Sequence, residues 1–254
     1  MLRSVLPAIL LFLPTLAYAE PVQAHYAAYA AGLNVLVMDA TLDVSPQRYR
    51  LEIGFKTAGT FALFIHSQIQ SRVEGNFASS VAAPSRFASA GVLRGEQRLT
   101  QIDYQSGQPV ISKLMPPSDK EREPVPPEQQ RGTVDTMSAM AQLIRQVNET
   151  GHCDGSVRTF DGRRLATLRA WTIGTEDLPP TKLSSYAGPA LHCGFEGKQL
   201  GGFAYDEDRE RLQRPQIGGA WFAAVSPGQP MIPVRISFHT RWSGDATMFI
   251  APKD

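Results

Sequence analysis

The sequence predicts a mainly β protein: an antiparallel, curved or half-open barrel-like sheet system carrying one amphipathic α-helix. Three observations predict it. Apolar and polar residues alternate with period two over many short runs. Turn-forming residues punctuate those runs at short intervals. One segment alone repeats its apolar residues at helical spacing.

At the N-terminus, Met1-Leu2-Arg3 is followed by an apolar run from Val5 to Leu16 and then by Ala17-Tyr18-Ala19-Glu20. One cation, a short apolar core and a small-x-small end are the features of a secretory signal. Residues 1–19 are therefore expected to be cleaved between Ala19 and Glu20, leaving 20–254 as a single β-rich domain. The run is short for a membrane span, and Pro7 and Pro14 disfavour a permanent helix. No cysteine follows the cleavage point, so a bacterial lipid anchor has no attachment atom. The mature chain is expected in the periplasm with no integral membrane span.

The strands follow. Tyr49, Leu51, Ile53 and Phe55 alternate with Arg48, Arg50, Glu52 and Lys56. Ile65, Ile69 and Val73 oppose His66, Gln68, Gln70 and Arg72. Ile232, Val234, Ile236 and Phe238 alternate with Arg235, Ser237 and His239. Such runs are half-buried strands with one wet face. Strands are expected over 25–31, 35–44, 48–57, 64–74, 85–93, 97–104, 109–114, 156–161, 164–173, 188–196, 219–225, 230–242 and 245–251. Short links favour antiparallel neighbours. Turns fall at Ser45-Pro46-Gln47, Asp161-Gly162, Ser226-Pro227-Gly228 and Ser243-Gly244-Asp245. Ala220-Trp221-Phe222-Ala223-Ala224-Val225 is apolar on both sides, so that strand should be covered twice.

The helix is expected to be capped by Asp135 and ended by Gly151. Met137, Met140, Ile144 and Val147 make its apolar stripe, and Gln142, Arg145, Gln146 and Glu149 are polar. That stripe packs on the sheet, or, being Met-bearing, offers a ligand surface. Residues 115–132 hold five prolines, many charges and no apolar period. They read as a Pro-rich connector between two strand groups.

Charge narrows the function. Loss of Arg3 with the leader leaves 24 basic and 24 acidic residues. This zero balance argues against nucleic acid and against docking on anionic lipid by charge alone. Cys153 and Cys193 are an even count in an oxidising compartment, which suggests one disulfide. It would close a loop of about 40 residues, for roughly 4 kcal/mol in the chain-entropy model. The pairs His152-Cys153 and His192-Cys193 raise a zinc alternative, but adjacent strand residues point to opposite faces. No metal or cofactor site is expected.

Catalytic signatures are missing: no G-x-S-x-G, P-loop, H-E-x-x-H or C-x-x-C occurs. His239 shares a strand face with Arg235, Ser237 and Arg241, a face able to polarise an anionic substrate or simply to meet solvent. Asp206-Glu207-Asp208 would suit calcium only without the interleaved Arg209 and Arg211. No catalytic residue is assigned. The favoured reading is a non-enzymatic protein of the cell envelope that binds a lipid, acyl chain or lipoprotein segment. The alternatives are an envelope-polymer hydrolase using His239 or residues 206–208, and a protein-interaction scaffold using a free strand edge.

Thr133-Val134-Asp135-Thr136-Met137-Ser138-Ala139 opens the helix, and Thr159-Phe160-Asp161-Gly162-Arg163-Arg164-Leu165 forms a hairpin. Cys193 is followed by Gly201-Gly202-Phe203, and Tyr26, Tyr29 and Gly32 lie near the mature start. With these motifs the chain resembles domain-of-unknown-function family 3108, uncharacterised exported bacterial proteins, over about residues 25–250. The family carries proline and leucine where this chain has Thr136 and Met137. The resemblance implies a periplasmic envelope protein and transfers no catalytic residue. A looser likeness of architecture is to periplasmic lipoprotein carriers, whose half-open barrels hold acyl chains under a helix.

Overall fold

The computed structural model describes residues 20–240 and 244–252, with backbone alone at 239, 240 and 244. The predicted leader, including Ala19, lies outside the described residues, as do Arg241 and the side chain of His239. Glu20 is described and exposed.

Among the described residues, alternation resolves into thirteen strands of one antiparallel sheet. The first seven are β1 (Val22–Ala30), β2 (Leu33–Val44), β3 (Arg48–Thr57), β4 (Gln68–Ala78), β5 (Val81–Leu93), β6 (Glu96–Gln105) and β7 (Gln108–Met115). The rest are β8 (Gly155–Phe160), β9 (Leu165–Leu178), β10 (Gly188–Gly201), β11 (Gln216–Ala223), β12 (Ile232–Thr240) and β13 (Gly244–Ile250). The order is β7-β6-β5-β4-β3-β2-β1-β13-β12-β11-β10-β9-β8. Every neighbour is consecutive in the chain except β1 and β13, which pair from Tyr26↔Ile250 to Ala30↔Ala246. The sheet is curved and not closed, and β7 and β8 are its two edges.

Among the described residues three α-helices accompany it: α1 (Pro127–Gln130), α2 (Thr136–Thr150) and α3 (Arg209–Gln213). The predicted helix is α2. Its N-cap Asp135 accepts from the Ser138 N–H at 2.9 Å, and Gly151 ends it in the left-handed region at φ 69°. The one-turn helices α1 and α3 carry the right local signals, Pro127 at the first turn and Asp208 as cap. They are too short to show periodicity in sequence. The strand expected from residue 64 starts at Gln68, because Gly59–Leu63 winds into a 3-10 turn. Gly59 sits there at φ +58°, close under the Asn34 carbonyl, where a side chain would collide.

The core fills the concave side. Tyr26, Leu42, Leu51, Val73, Ile102, Phe222, Ile232 and Val234 meet Met137, Ala141, Ile144 and Val147 of α2. A buried polar chain anchors the start of α2: the Tyr49 hydroxyl donates to Ser138 Oγ at 2.8 Å, and Ser138 Oγ donates to Asp135 Oδ2 at 2.6 Å. The Tyr104 hydroxyl donates to Asp135 Oδ2 at 3.4 Å. Cys153, just beyond α2, is bonded to Cys193 on β10 with Cα atoms 6.0 Å apart, within the disulfide range. The helix is thus tied at its start to β3 and β6 and at its end to β10.

Residues 115–132 run from β7 across the far half of the sheet. The Glu123 N–H donates to Phe203 O at 2.9 Å, the Tyr205 N–H to Glu121 O at 3.1 Å, and Val125 is buried. The Asp161-Gly162 turn of β8–β9 reaches the other half. A Cβ on Gly162 would press on Thr100, and Ile102 and Leu114 lie beside it. Glu121 closes this seam by accepting from Arg98 Nη1 at 2.5 Å and facing Arg163 Nη1 at 3.5 Å.

Candidate ligand-binding groove

Helix α2 does not sit midway across the curved sheet. It packs mainly on β4 and β5, touches β2, β3 and β8, and leaves a gap towards β9–β12. Two stripes of the helix explain this. Met137, Ala141, Ile144 and Val147, at i, i+4, i+7 and i+10, are buried in the core. Thr136, Met140 and Leu143, at i, i+4 and i+7, face the gap and are not buried. Met140, read from sequence as part of the core stripe, belongs to this second one.

The gap is an open groove of about 260 Å³. Ala139, Met140 and Leu143 form its helical wall. Val157, Leu168, Ala170, Phe195, Phe222 and Ile236 form its sheet wall. The disulfide half-residue Cys153 lies at its edge. Two glycines keep the floor low: the Phe195 ring lies directly over Gly218, and Gly197 adds no side chain beside Leu168. The volume is a little below the usual 300–1,000 Å³ of ligand pockets, so the groove suits a slender apolar segment rather than a whole lipid.

The same face of the sheet turns polar towards the seam. Val157↔Leu168↔Gly197 is one cross-strand row, and Thr159↔Ala166↔Gln199 is the next. That second row belongs to a polar pocket of about 380 Å³ edged by Arg122, Asp161, Arg164, Lys198, Glu207 and Gln216. Thr136 and Leu168 line both spaces. Burial alone would raise the Asp161 carboxyl, but the Arg164 guanidinium and the N–H groups of Arg163 and Arg164 outweigh it and hold it below its usual range. Burial and the neighbouring Arg164 charge push Arg122 below the usual arginine value.

The residues singled out from sequence are scattered. Asp208 spends its carboxylate capping α3, accepting from the Glu210 N–H at 2.9 Å. Glu207 edges the polar pocket, and Asp206 is exposed. His152 lies 4.0 Å from Asp154 on the surface. Among the described residues, no three His, Cys, Asp or Glu side chains gather as a metal site. No helix among them is long and apolar enough to cross a membrane.

A second cluster was not foreseen. On the opposite face, His192 stacks on Trp221 with ring centres 4.2 Å apart, and Arg235 covers the other side of Trp221 at 4.5 Å. Glu176 Oε2 accepts from Trp221 Nε1 at 2.7 Å and stands 3.1 Å from His192 Nδ1. This is the second cover that the two-sided run at Trp221 requires, supplied by neighbouring strands instead of another layer. Gly219 leaves room for it, since a Cβ there would press on His192 Nε2 and the Trp221 ring. Burial lowers the His192 pKa against the pull of Glu176, and Arg235 lowers it further. The register that joins Glu176, His192, Trp221 and Arg235 spans four strands, and single-strand alternation does not encode it.

With the geometry in place, comparison with known proteins bears on the architecture. The chain superposes on the crystal structure of a β-barrel-like protein of domain of unknown function DUF1849 from Brucella abortus, with a TM-score of 0.52 and 12% identity, over 92% of this chain and 99% of that chain. What they share is the fold. No family model and no curated relative matches the chain. The half-open barrel seen here is therefore an architecture with a solved counterpart of nearly the same extent. At this identity the likeness carries no ligand and no residue role.

Proposed function

We propose that this is an exported, non-enzymatic protein of the cell envelope that holds an acyl chain, or the acylated end of a lipoprotein, in the groove beside α2. The observation that carries the reading is the groove's chemistry. Met140, Leu143, Phe195, Phe222 and Ile236 give it apolar walls, while the cap network anchors the start of the helix on β3 and β6, away from β9–β12. An apolar concavity kept open by structure is the form a lipid site takes. The leader-like start and the Cys153–Cys193 disulfide support export to the periplasm.

The test is a chain-length series of saturated fatty acids titrated against the purified mature protein, alongside native mass spectrometry of protein recovered from the periplasm. Each methylene placed in the groove contributes about 0.8 kcal/mol, so affinity should rise about fourfold per carbon until the groove is full. Met140→Trp should fill the space and remove binding at unchanged thermal stability. Length-independent binding, or none together with no recovered lipid, would overturn the reading.

A further inference from the structure

We propose that the apolar groove and the polar pocket are two ends of one site for an anionic amphiphile, with the tail along α2 and a carboxylate or phosphate headgroup at Arg122. The inference rests on the acyl-chain reading above and adds the headgroup.

Continuity is the first argument. Both spaces open on the same concave face, share Thr136 and Leu168, and follow each other by one cross-strand row. Successive rows on one face are about 7 Å apart, so a ligand lying along the strands passes from apolar to polar walls within a few carbons. Chemistry is the second argument. Asp161 is matched by Arg164 at 2.8 Å, and Glu207 lies 3.8 Å from Arg211. Arg122 has no carboxylate in ion-pair contact among the described residues. The pocket therefore offers a guanidinium outside any close ion pair, beside hydrogen-bonding groups of Thr159, Gln199 and Gln216. A guanidinium presents a donor fork suited to either oxyanion. Placement is the third argument. Arg122 is fixed by its backbone bridge to Ala204, and its Nη1 donates to Gly202 O at 3.2 Å, so the cation is held at the pocket edge.

Three probes of equal chain length decide it: dodecanoate, monododecyl phosphate and dodecanol, titrated calorimetrically below their aggregation limits. Both anions should bind roughly tenfold tighter than the alcohol, a gap that narrows at high salt. Arg122→Gln should shrink that gap while leaving dodecanol affinity unchanged. Arg122→Lys keeps the charge and should retain much of the gap, and it keeps the test valid if the Gln variant fails to fold. A tighter dodecanoate would indicate free fatty acid as the source, and a tighter phosphate a lysophospholipid. Equal binding of all three, or an anion preference that survives Arg122→Gln undiminished, overturns the headgroup site and leaves the groove reading intact. Failure of dodecanol and both anions to bind overturns the groove reading itself.

Discussion

The Phe195 ring rests on the backbone of Gly218, its partner across β10 and β11, closer than any Cβ would allow. This one contact sets the depth of the groove, because a side chain at 218 would lift the ring into it. Gly218→Ala should destabilise the fold by about 1–3 kcal/mol, since the Ser237 carbonyl crowds the same position. It should also weaken fatty-acid binding. Urea unfolding and titration of the same variant measure the two effects.

The cap of α2 predicts a second result. Asp135, itself fully buried, accepts from the buried Ser138 twice and from the half-buried Tyr104. Asp135→Ala should cost about 2 kcal/mol, because a cap is lost and buried donors are stranded. Tyr49→Phe should cost about 1 kcal/mol, as only one hydrogen bond goes. Burial raises the Asp135 pKa above its unfolded value. Its contribution is therefore full below the unfolded pKa and is lost as pH rises through the folded one, and Asp135→Asn should flatten that slope in the acid range.

His192 has the opposite sign. Its folded pKa lies below the ordinary histidine value, chiefly through burial. Its contribution is full above about pH 6.5 and is lost as pH falls through the folded pKa. Melting temperature should drop on acidification from about pH 7 to about pH 5, and His192→Asn should reduce that drop. Proton NMR of the imidazole follows the same titration directly.

Ion pairs should separate by burial. Glu121→Gln leaves Arg98 and Arg163, both largely shielded, without their shared carboxylate at the seam. It should cost clearly more than Glu52→Gln, which breaks the exposed Arg50–Glu52 pair worth at most about 1 kcal/mol. Urea midpoints of the two variants, compared at low and high salt, measure the contrast.

Removing the disulfide with Cys153→Ser and Cys193→Ser should cost about 4 kcal/mol, given the separation of 40 residues. It should also loosen the end of α2 more than its start, since Asp135 and Ser138 remain anchored. Hydrogen exchange along α2 should show protection falling at Val147–Thr150 first. The mature N-terminus is a separate matter: intact mass of periplasmic protein should begin at Glu20.

Strand existence was legible because each strand reports its own buried face. Tyr49, Leu51 and Val73 announce β3 and β4 without reference to any partner. Helix α2 was legible through Asp135 and Gly151, whose conformations are local. What escaped was relational. Met140 looks like a core residue at helical spacing, and only the lean of α2 towards β4 and β5 turns it into a groove wall. Arg122 sits in a charged, proline-rich stretch, and its meaning comes from the Ala204 bridge that sequence does not announce. The double burial at Trp221 was visible, but its cover by His192 and Arg235 depends on cross-strand register.

The pairing of β1 with β13 puts the first and last described strands side by side at the middle of the sheet. Every other ladder is a hairpin that can zip as soon as its second strand emerges. A chain that emerges from its N-terminus must leave one flank of β1 bare until β13 arrives. During that interval the bare flank is exposed to any passing strand, which makes β1 the place where a chaperone would be most needed.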